Sequence, residues 1–317
     1  MFQLIYLRFT QPRPDATAFG VQATQQKAFL VNQAAVPEFA FSEALLTARF
    51  QNHLRRRMST PATIDEWNLE KSVAFYKDRF ADASDFTFVF VGNFDLATMK
   101  PLVERYLATL PSIHRKENWK DVGVRPATGV IEKKVEKGSE PKSLAAIVFS
   151  GPFEDDLTHR VAIRAMAEVL GTKLLEVIRE ELGGAYSINA GAGSSRFPIQ
   201  QYTVSIQFGS DPLRTEDLIK RIFQEIEQLK TNGPTEKQVT VEKEKLLRQF
   251  ELDIKRNEYL LGQILFRYQY GEDPATLLKI PETYNKIDAA MIQEAARTYL
   301  NPKNYVKVTL VPEKKKE

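Results

Sequence analysis

One pattern constrains this chain more than any other: the same order of strand and helix occurs twice. Leu4 to Phe9 alternates, with Ile5, Leu7 and Phe9 on one side and Tyr6 and Arg8 on the other, the period of a half-buried strand. A helix follows, capped by Asp15 and running to about Asn32. Tyr202 to Phe208 alternates in the same way, with Tyr202, Val204, Ile206 and Phe208 on one face, and a helix from Arg214 to Leu229 follows it. Phe9 aligns with Phe208, Leu7 with Ile206 and Ile5 with Val204. Further on, a helix ending at Arg79-Phe80 leads into the apolar strand Phe86 to Val91, and a helix ending at Tyr299-Leu300 leads into a strand from Tyr305 to Val311. The second copy is longer by about twenty residues around Tyr259 to Ile280, as surface insertions are. Two occurrences of one order point to a duplicated α+β unit.

The copies are not equal. Before its matching point the second has strands at Val130 to Glu136 and Leu144 to Ser150, a long helix from Asp155-Asp156 to about Leu182, and a strand at Tyr186 to Gly191. The first has nothing there. The expected fold is therefore two tandem, related α+β modules, each a mainly antiparallel sheet with helices on one face. The first spans 1–112 and is truncated, 113–129 is a linker poor in periodicity, and 130–317 is complete. A truncated module needs a partner to cover its sheet.

Composition excludes several classes. The formal charge is only +3 over 317 residues, so no electrostatic footprint for nucleic acid exists. With no cysteine, disulfides and thiolate metal sites are ruled out. No apolar run is long enough to span a membrane as a helix. The three histidines, His53, His114 and His159, form neither His-x-x-Glu-His nor His-Glu-x-x-His, so no metal ligand set is expected. His114-Arg115-Lys116-Glu117-Asn118 comes nearest, but ends in Asn. There is no nucleophile elbow, no P-loop, and no dinucleotide fingerprint. Gly191-Ala192-Gly193 reads as a turn between strands, and Asp155-Asp156 as helix-end or surface charge.

One segment could carry chemistry: Leu175 to Ser187. Gly183-Gly184 ends a long amphipathic helix and lets the chain reverse into a strand. Arg179 lies in the last helical turn and Tyr186 opens the strand. The reversal can bring guanidinium and phenol to one rim, where both donate toward an oxyanion or an extended peptide carbonyl. The alternative is structural: an arginine favoured by the helix dipole and a tyrosine at a core edge. On residue physics alone the structural reading leads.

Arg179-Glu180-Glu181-Leu182-Gly183-Gly184-Ala185-Tyr186-Ser187 resembles the Arg-x6-Tyr motif in the C-terminal half of pitrilysin/insulinase (M16) zinc peptidases. Phe75 to Phe80, Phe86 to Val91, Gly92-Asn93-Phe94-Asp95 and Leu107 to Pro111 resemble the segment closing the preceding domain of that family. The resemblance implies a clamshell. A zinc-binding N-terminal half bears His-x-x-Glu-His, and a second half contributes Arg179 and Tyr186 to peptide substrate near the scissile bond. No cofactor is then expected in this chain, zinc belongs to the N-terminal half of the parent, and the chain alone is inactive. The partners are that half, or a separate subunit, and a peptide. A bacterial periplasmic or envelope location fits the parent. A rival from another class is a non-catalytic peptide-binding or scaffold subunit.

Overall fold

A computed structural model describes residues 1–313 and, for Glu181 and Tyr186, the backbone only. In chain order the helices are α1 (Phe2–Thr10), α2 (Ala16–Ala35), α3 (Pro37–Arg49), α4 (Pro61–Asp65), α5 (Leu69–Arg79) and α6 (Leu96–Tyr106). Strands β1 (Val130–Glu136) and β2 (Ser143–Pro152) follow, then helix α7 (Leu157–Leu174), β3 (Ala185–Ser195) and β4 (Gln201–Ser210). Helices α8 (Thr215–Asn232), α9 (Glu236–Asp253), α10 (Asn257–Tyr270), α11 (Ile280–Asn285) and α12 (Ala289–Tyr299) precede the last strand, β5 (Tyr305–Val311). The chain divides into two compact units. Unit 1 comprises residues 1–34, 59–121 and 256–265; unit 2 comprises 35–58, 122–255 and 266–317.

Unit 2 holds a five-stranded sheet in the order β1-β5-β2-β4-β3, antiparallel except for the parallel β1/β5 pair. Alternation in sequence becomes two faces. Ala145, Ile147 and Phe149 of β2 and Val204, Ile206 and Phe208 of β4 are buried on the face covered by α7, α8 and α12. Phe149 meets Phe223 of α8 edge-on at 6.3 Å. Leu218, Ile219, Ile222, Ile226 and Leu229 give α8 its buried stripe, each contributing about 1.5–3 kcal/mol by leaving water. The α+β class with a mainly antiparallel sheet thus holds here. Helix α3 lies on the opposite face, where Phe41 and Ala48 pack on Ala146, Val306, Val308 and Leu310. It covers only the β1-β5-β2 half. The β4-β3 half of that face carries Thr203, Ser205, Gln207, Ser187, Asn189, Gly191 and Gly193, in register across the two strands.

Unit 1 differs from expectation. Leu4 to Phe9, predicted as a strand, is helical in α1. Phe2 and Phe9 are its buried residues, a spacing of two helical turns, and the alternation over six residues is compatible with both periods. Its alignment with the β4 residues Val204, Ile206 and Phe208 therefore pairs a helix with a strand. Phe86 to Val91, predicted as a strand, has no regular structure and joins no sheet among the described residues. Its rings serve an aromatic cluster instead: Phe9 meets Phe80 and Phe86, each at 4.9 Å, and Phe2 stacks on Phe90 at 5.4 Å.

Residues 113–129 have almost no regular structure, yet both ends are fixed. Buried Asp82 accepts backbone N–H groups from Ser84, Ile113 and Arg115 in unit 1. In unit 2, Ala127 N–H donates to the Arg49 carbonyl at 2.8 Å and His53 Nε2 pairs with the Val122 carbonyl at 3.0 Å.

Candidate functional site

The long helix ends earlier than its pattern suggests. After Leu174 the backbone widens into a π-helical segment, Leu175–Glu181, a rare geometry that recurs at functional sites. Val177 and Ile178 are buried in it, which turns Arg179 and Glu180 outward. Arg179 is exposed and makes no hydrogen bond or ion pair among the described residues.

The reversal that follows is tightly built. Gly183 has φ +55°, and a Cβ on Gly184 would come within 2.5 Å of Leu218 Cδ2. Both glycines are thus required, one by conformation and one by space. The Leu182 and Gly184 N–H groups donate to the Val177 and Ile178 carbonyls at 3.1 and 2.9 Å. Arg214 at the start of α8 donates to the Leu182 carbonyl at 2.9 Å and the Gly183 carbonyl at 3.2 Å, holding the loop from outside. Sequence reasoning missed Arg214, whose partners are backbone oxygens without a sequence signature. Ala185 opens β3, and a register irregularity against β4 falls between Ala185 and Ser187, at Tyr186. The Tyr186 side chain lies outside the described residues. Arg179 and the backbone of Tyr186 thus flank one stapled turn.

Two further readings change. Gly191-Ala192-Gly193 is not a turn: these residues are within β3, paired with Ser205, Val204 and Thr203. Asp155 is not a surface charge. Its side chain is 2% exposed and meets Arg160 and Arg196 at 3.0 Å each, and both arginines reach Glu272. Arg160 also lies over the Phe266 ring and Arg196 over that of Tyr270. The network ties the start of α7 and the end of β3 to the end of α10. It is structural, since every charge in it has a partner.

The potential metal ligands do not make a zinc-peptidase site. Among the described residues one group has ligand atoms within reach of one another: Glu154, Asp156 and His159. Asp156 caps α7 through the His159 N–H at 2.8 Å, and its carboxylate also meets His159 Nδ1 at 2.9 Å. One imidazole already engaged by a carboxylate, on a partly exposed helix end, does not supply two histidines on one helix face.

The family comparison decides what kind of domain this is. The sequence profile of the peptidase M16 inactive domain matches residues 66–246, more than half of the chain. The chain belongs to the peptidase M16 inactive-domain family. It is similar to a protein of Arabidopsis thaliana described as "Zinc protease PQQL-like", 24% identical over 98% of this chain and 35% of that protein. It is also 22% identical to the "Probable zinc protease PqqL" of Escherichia coli, over 98% of this chain and 33% of that protein. This M16 chain therefore spans about a third of the length of these relatives. The solved structure of the periplasmic protease PqqL of Escherichia coli superposes with a TM-score of 0.85 at 20% identity, covering 98% of this chain and 34% of that one. An M16 inactive domain from Pseudomonas fluorescens superposes with a TM-score of 0.79 at 17% identity, over 100% of this chain and 76% of that one. The α+β fold class and the M16 membership expected from the sequence are thereby borne out.

Proposed function

We propose that this chain is the substrate-contacting, non-zinc-binding half of a zinc metallopeptidase, closing over a peptide held by a zinc-bearing half. The observation that carries this reading is the stapled turn. Arg179, exposed and without a hydrogen bond or ion pair among the described residues, sits on a π-helical segment that leads through Gly183-Gly184 into β3, whose second residue is Tyr186, within a domain of the M16 inactive family. Zinc, in the other half, would supply Lewis-acid activation of water and carbonyl. This chain's part is different: Arg179 and Tyr186 donate hydrogen bonds to the scissile region on closure, which excludes water and fixes the carbonyl. That the apolar run Phe86 to Val91 joins no sheet among the described residues supports a first unit completed by further chain. The description of the Escherichia coli relative as periplasmic supports a bacterial periplasmic location for the parent.

The test is made in the whole protease. Tyr186→Phe is expected to lower kcat by about a hundredfold or more while changing KM little, as for a lost oxyanion donor. Arg179→Ala is expected to damage both kcat and KM, with Arg179→Lys restoring part of the KM term. A Tyr186→Phe enzyme within about twofold of wild type in turnover leaves the phenol a packing residue, and the scaffold reading then stands in its place.

A further inference from the structure

The two edges of the unit 2 sheet are built on opposite rules. At one edge β1 reads Val130-Ile131-Glu132-Lys133-Lys134-Val135-Glu136, with Glu132, Lys133, Lys134 and Glu136 exposed. Its charges are tied down as well: Glu132 takes hydrogen bonds from Tyr305 Oη at 2.7 Å and Lys307 Nζ at 3.1 Å, and Lys134 pairs with Glu136 at 3.0 Å. Charged side chains along a strand are the usual guard against edge-to-edge pairing. At the other edge β3 runs eleven residues, Ala185–Ser195, without one charge or proline. One side of its backbone is paired with β4, and among the described residues the other has no strand. On the helix-covered face Ala190 is seated against α7, 3.5 Å from where a Cβ on Gly171 would lie. On the opposite face Ser187, Asn189 and Gly193 are exposed, and a Cβ on Gly191 or Gly193 would meet no atom within 4 Å. The strand is anchored from behind and open in front, and no strand among the described residues pairs with its outer ladder.

We propose that the outer edge of β3 is a docking strand for an extended peptide segment, which pairs main chain to main chain as a sixth strand. A long unguarded edge is an aggregation hazard, kept where pairing is used. The small neutral residues of the open face leave room for large side chains on the added strand and offer no charge to select them. The ligand class is thus an unfolded, uncharged segment with strand propensity, and recognition is by backbone. This inference takes from the proposed function only that the ligand is a peptide. Its test needs neither zinc nor catalysis, so failure of one leaves the other standing.

The experiment uses the full chain and a labelled peptide of alternating valine and threonine, about twelve residues long with lysine pairs at its ends. Two versions carry backbone N-methyl groups on alternate residues in complementary phase. The version methylated on the edge-facing amides is expected to lose about tenfold or more in affinity, and the other to bind as the parent peptide does. Binding is expected to be insensitive to salt, and hydrogen exchange to slow at alternate amides between Ser187 and Ser195 but not in β1. Gly191→Pro and Ala192→Pro provide the protein side. Their N–H groups point to opposite sides of the strand, so one substitution breaks a bond to β4 and the other removes an outward donor. The variant that keeps its thermal unfolding midpoint is expected to lose the peptide. Equal loss from both methylated peptides, unchanged binding to the fold-competent proline variant, or a dimer joined through β3 that excludes the peptide would each overturn the proposal.

Discussion

Units 1 and 2 bury their apolar residues by different means. In unit 2 the core is aliphatic and layered: Ile147, Val204, Ile206, Ile222 and Val308 are all fully buried between sheet and helices. In unit 1 the buried hydrophobics among the described residues are Phe2, Phe9, Leu30, Ile64 and Leu110, and the rest of the packing is a set of rings at its surface. Tyr76 stacks on Phe80 at 4.2 Å, and Phe86, part of the same cluster, stays 38% exposed. A sheet lets every second residue reach the interior. Without one, ring-to-ring contacts worth about 0.5–1.5 kcal/mol each beyond burial carry more of the burden. The lesson is that an apolar run such as Phe86 to Val91 does not make a strand unless a neighbour is there to pair with it.

The largest expected effect separates the units by their cores. Phe208→Ala, at a position 1% exposed between sheet and helices, is expected to cost about 3–5 kcal/mol. It should shift the main denaturation transition. Phe9→Ala is expected to speed hydrogen exchange in α1, α5 and residues 86–91 while leaving the unit 2 midpoint in place. If Phe9→Ala moves that midpoint as far as Phe208→Ala does, the two cores are one, and the comparison fails.

The next effect contrasts the buried carboxylates. Asp155→Ala strands Arg160 and Arg196 and is expected to destabilise unit 2 by about 3 kcal/mol, read as a lower denaturation midpoint. Asp82 works on backbone rather than on arginines. Although burial pushes its carboxyl up, the N–H groups of Ser84, Arg115 and Ile113 prevail and hold it well below the usual carboxylate range. A depressed folded pKa gives stability that is present above the unfolded value, about 4, and lost as pH falls below it. Wild-type unit 1 should therefore loosen on acidification, with the amides of Ile113 and Arg115 exchanging first. Asp82→Asn should be loosened already at neutral pH and show less of that slope.

These contrasts also mark what the sequence could reveal. The strands of unit 2 were legible because alternation and turn residues agreed, as in Tyr202 to Phe208, which the structure places in β4 with Tyr202, Val204, Ile206 and Phe208 buried. Short segments failed where two periods coincide, as in Leu4 to Phe9. Gly191-Ala192-Gly193 was mistaken for a turn because glycine in an edge strand has the same composition as a loop, and only its pairing with β4 distinguishes the two. The turn at Gly183-Gly184 was legible from its glycines. The Arg214 clamp was not, since it binds carbonyl oxygens thirty-one and thirty-two residues away in sequence. Asp155 and its arginines were invisible for a similar reason: their partner Glu272 lies in a distant helix-end loop.

The smallest effect concerns a charge that unit 2 buries at a cost. Glu242 of α9 is 4% exposed. Burial and the nearby Glu168 push its carboxyl up to about 7, against the opposing pull of Lys245 and Arg164. Lys245 is shared: it is bonded to Glu168 and lies 3.6 Å from Glu242, so it cannot serve both fully. Because the folded pKa is raised, the associated stability is present below the unfolded value, about 4.5, and is lost as pH rises through about 7. Glu242→Gln keeps the shape and removes the proton to be lost. The variant should match wild type near pH 4 and be more stable near pH 8, by on the order of 1 kcal/mol. Chemical denaturation of both proteins at the two pH values measures the difference directly. A gain that is the same at both pH values would mean that packing, and not the charge, sets the change. A loss at high pH would mean that Lys245 holds Glu242 as a true ion pair, and unit 2 would then tolerate buried charge here as well as it does at Asp155.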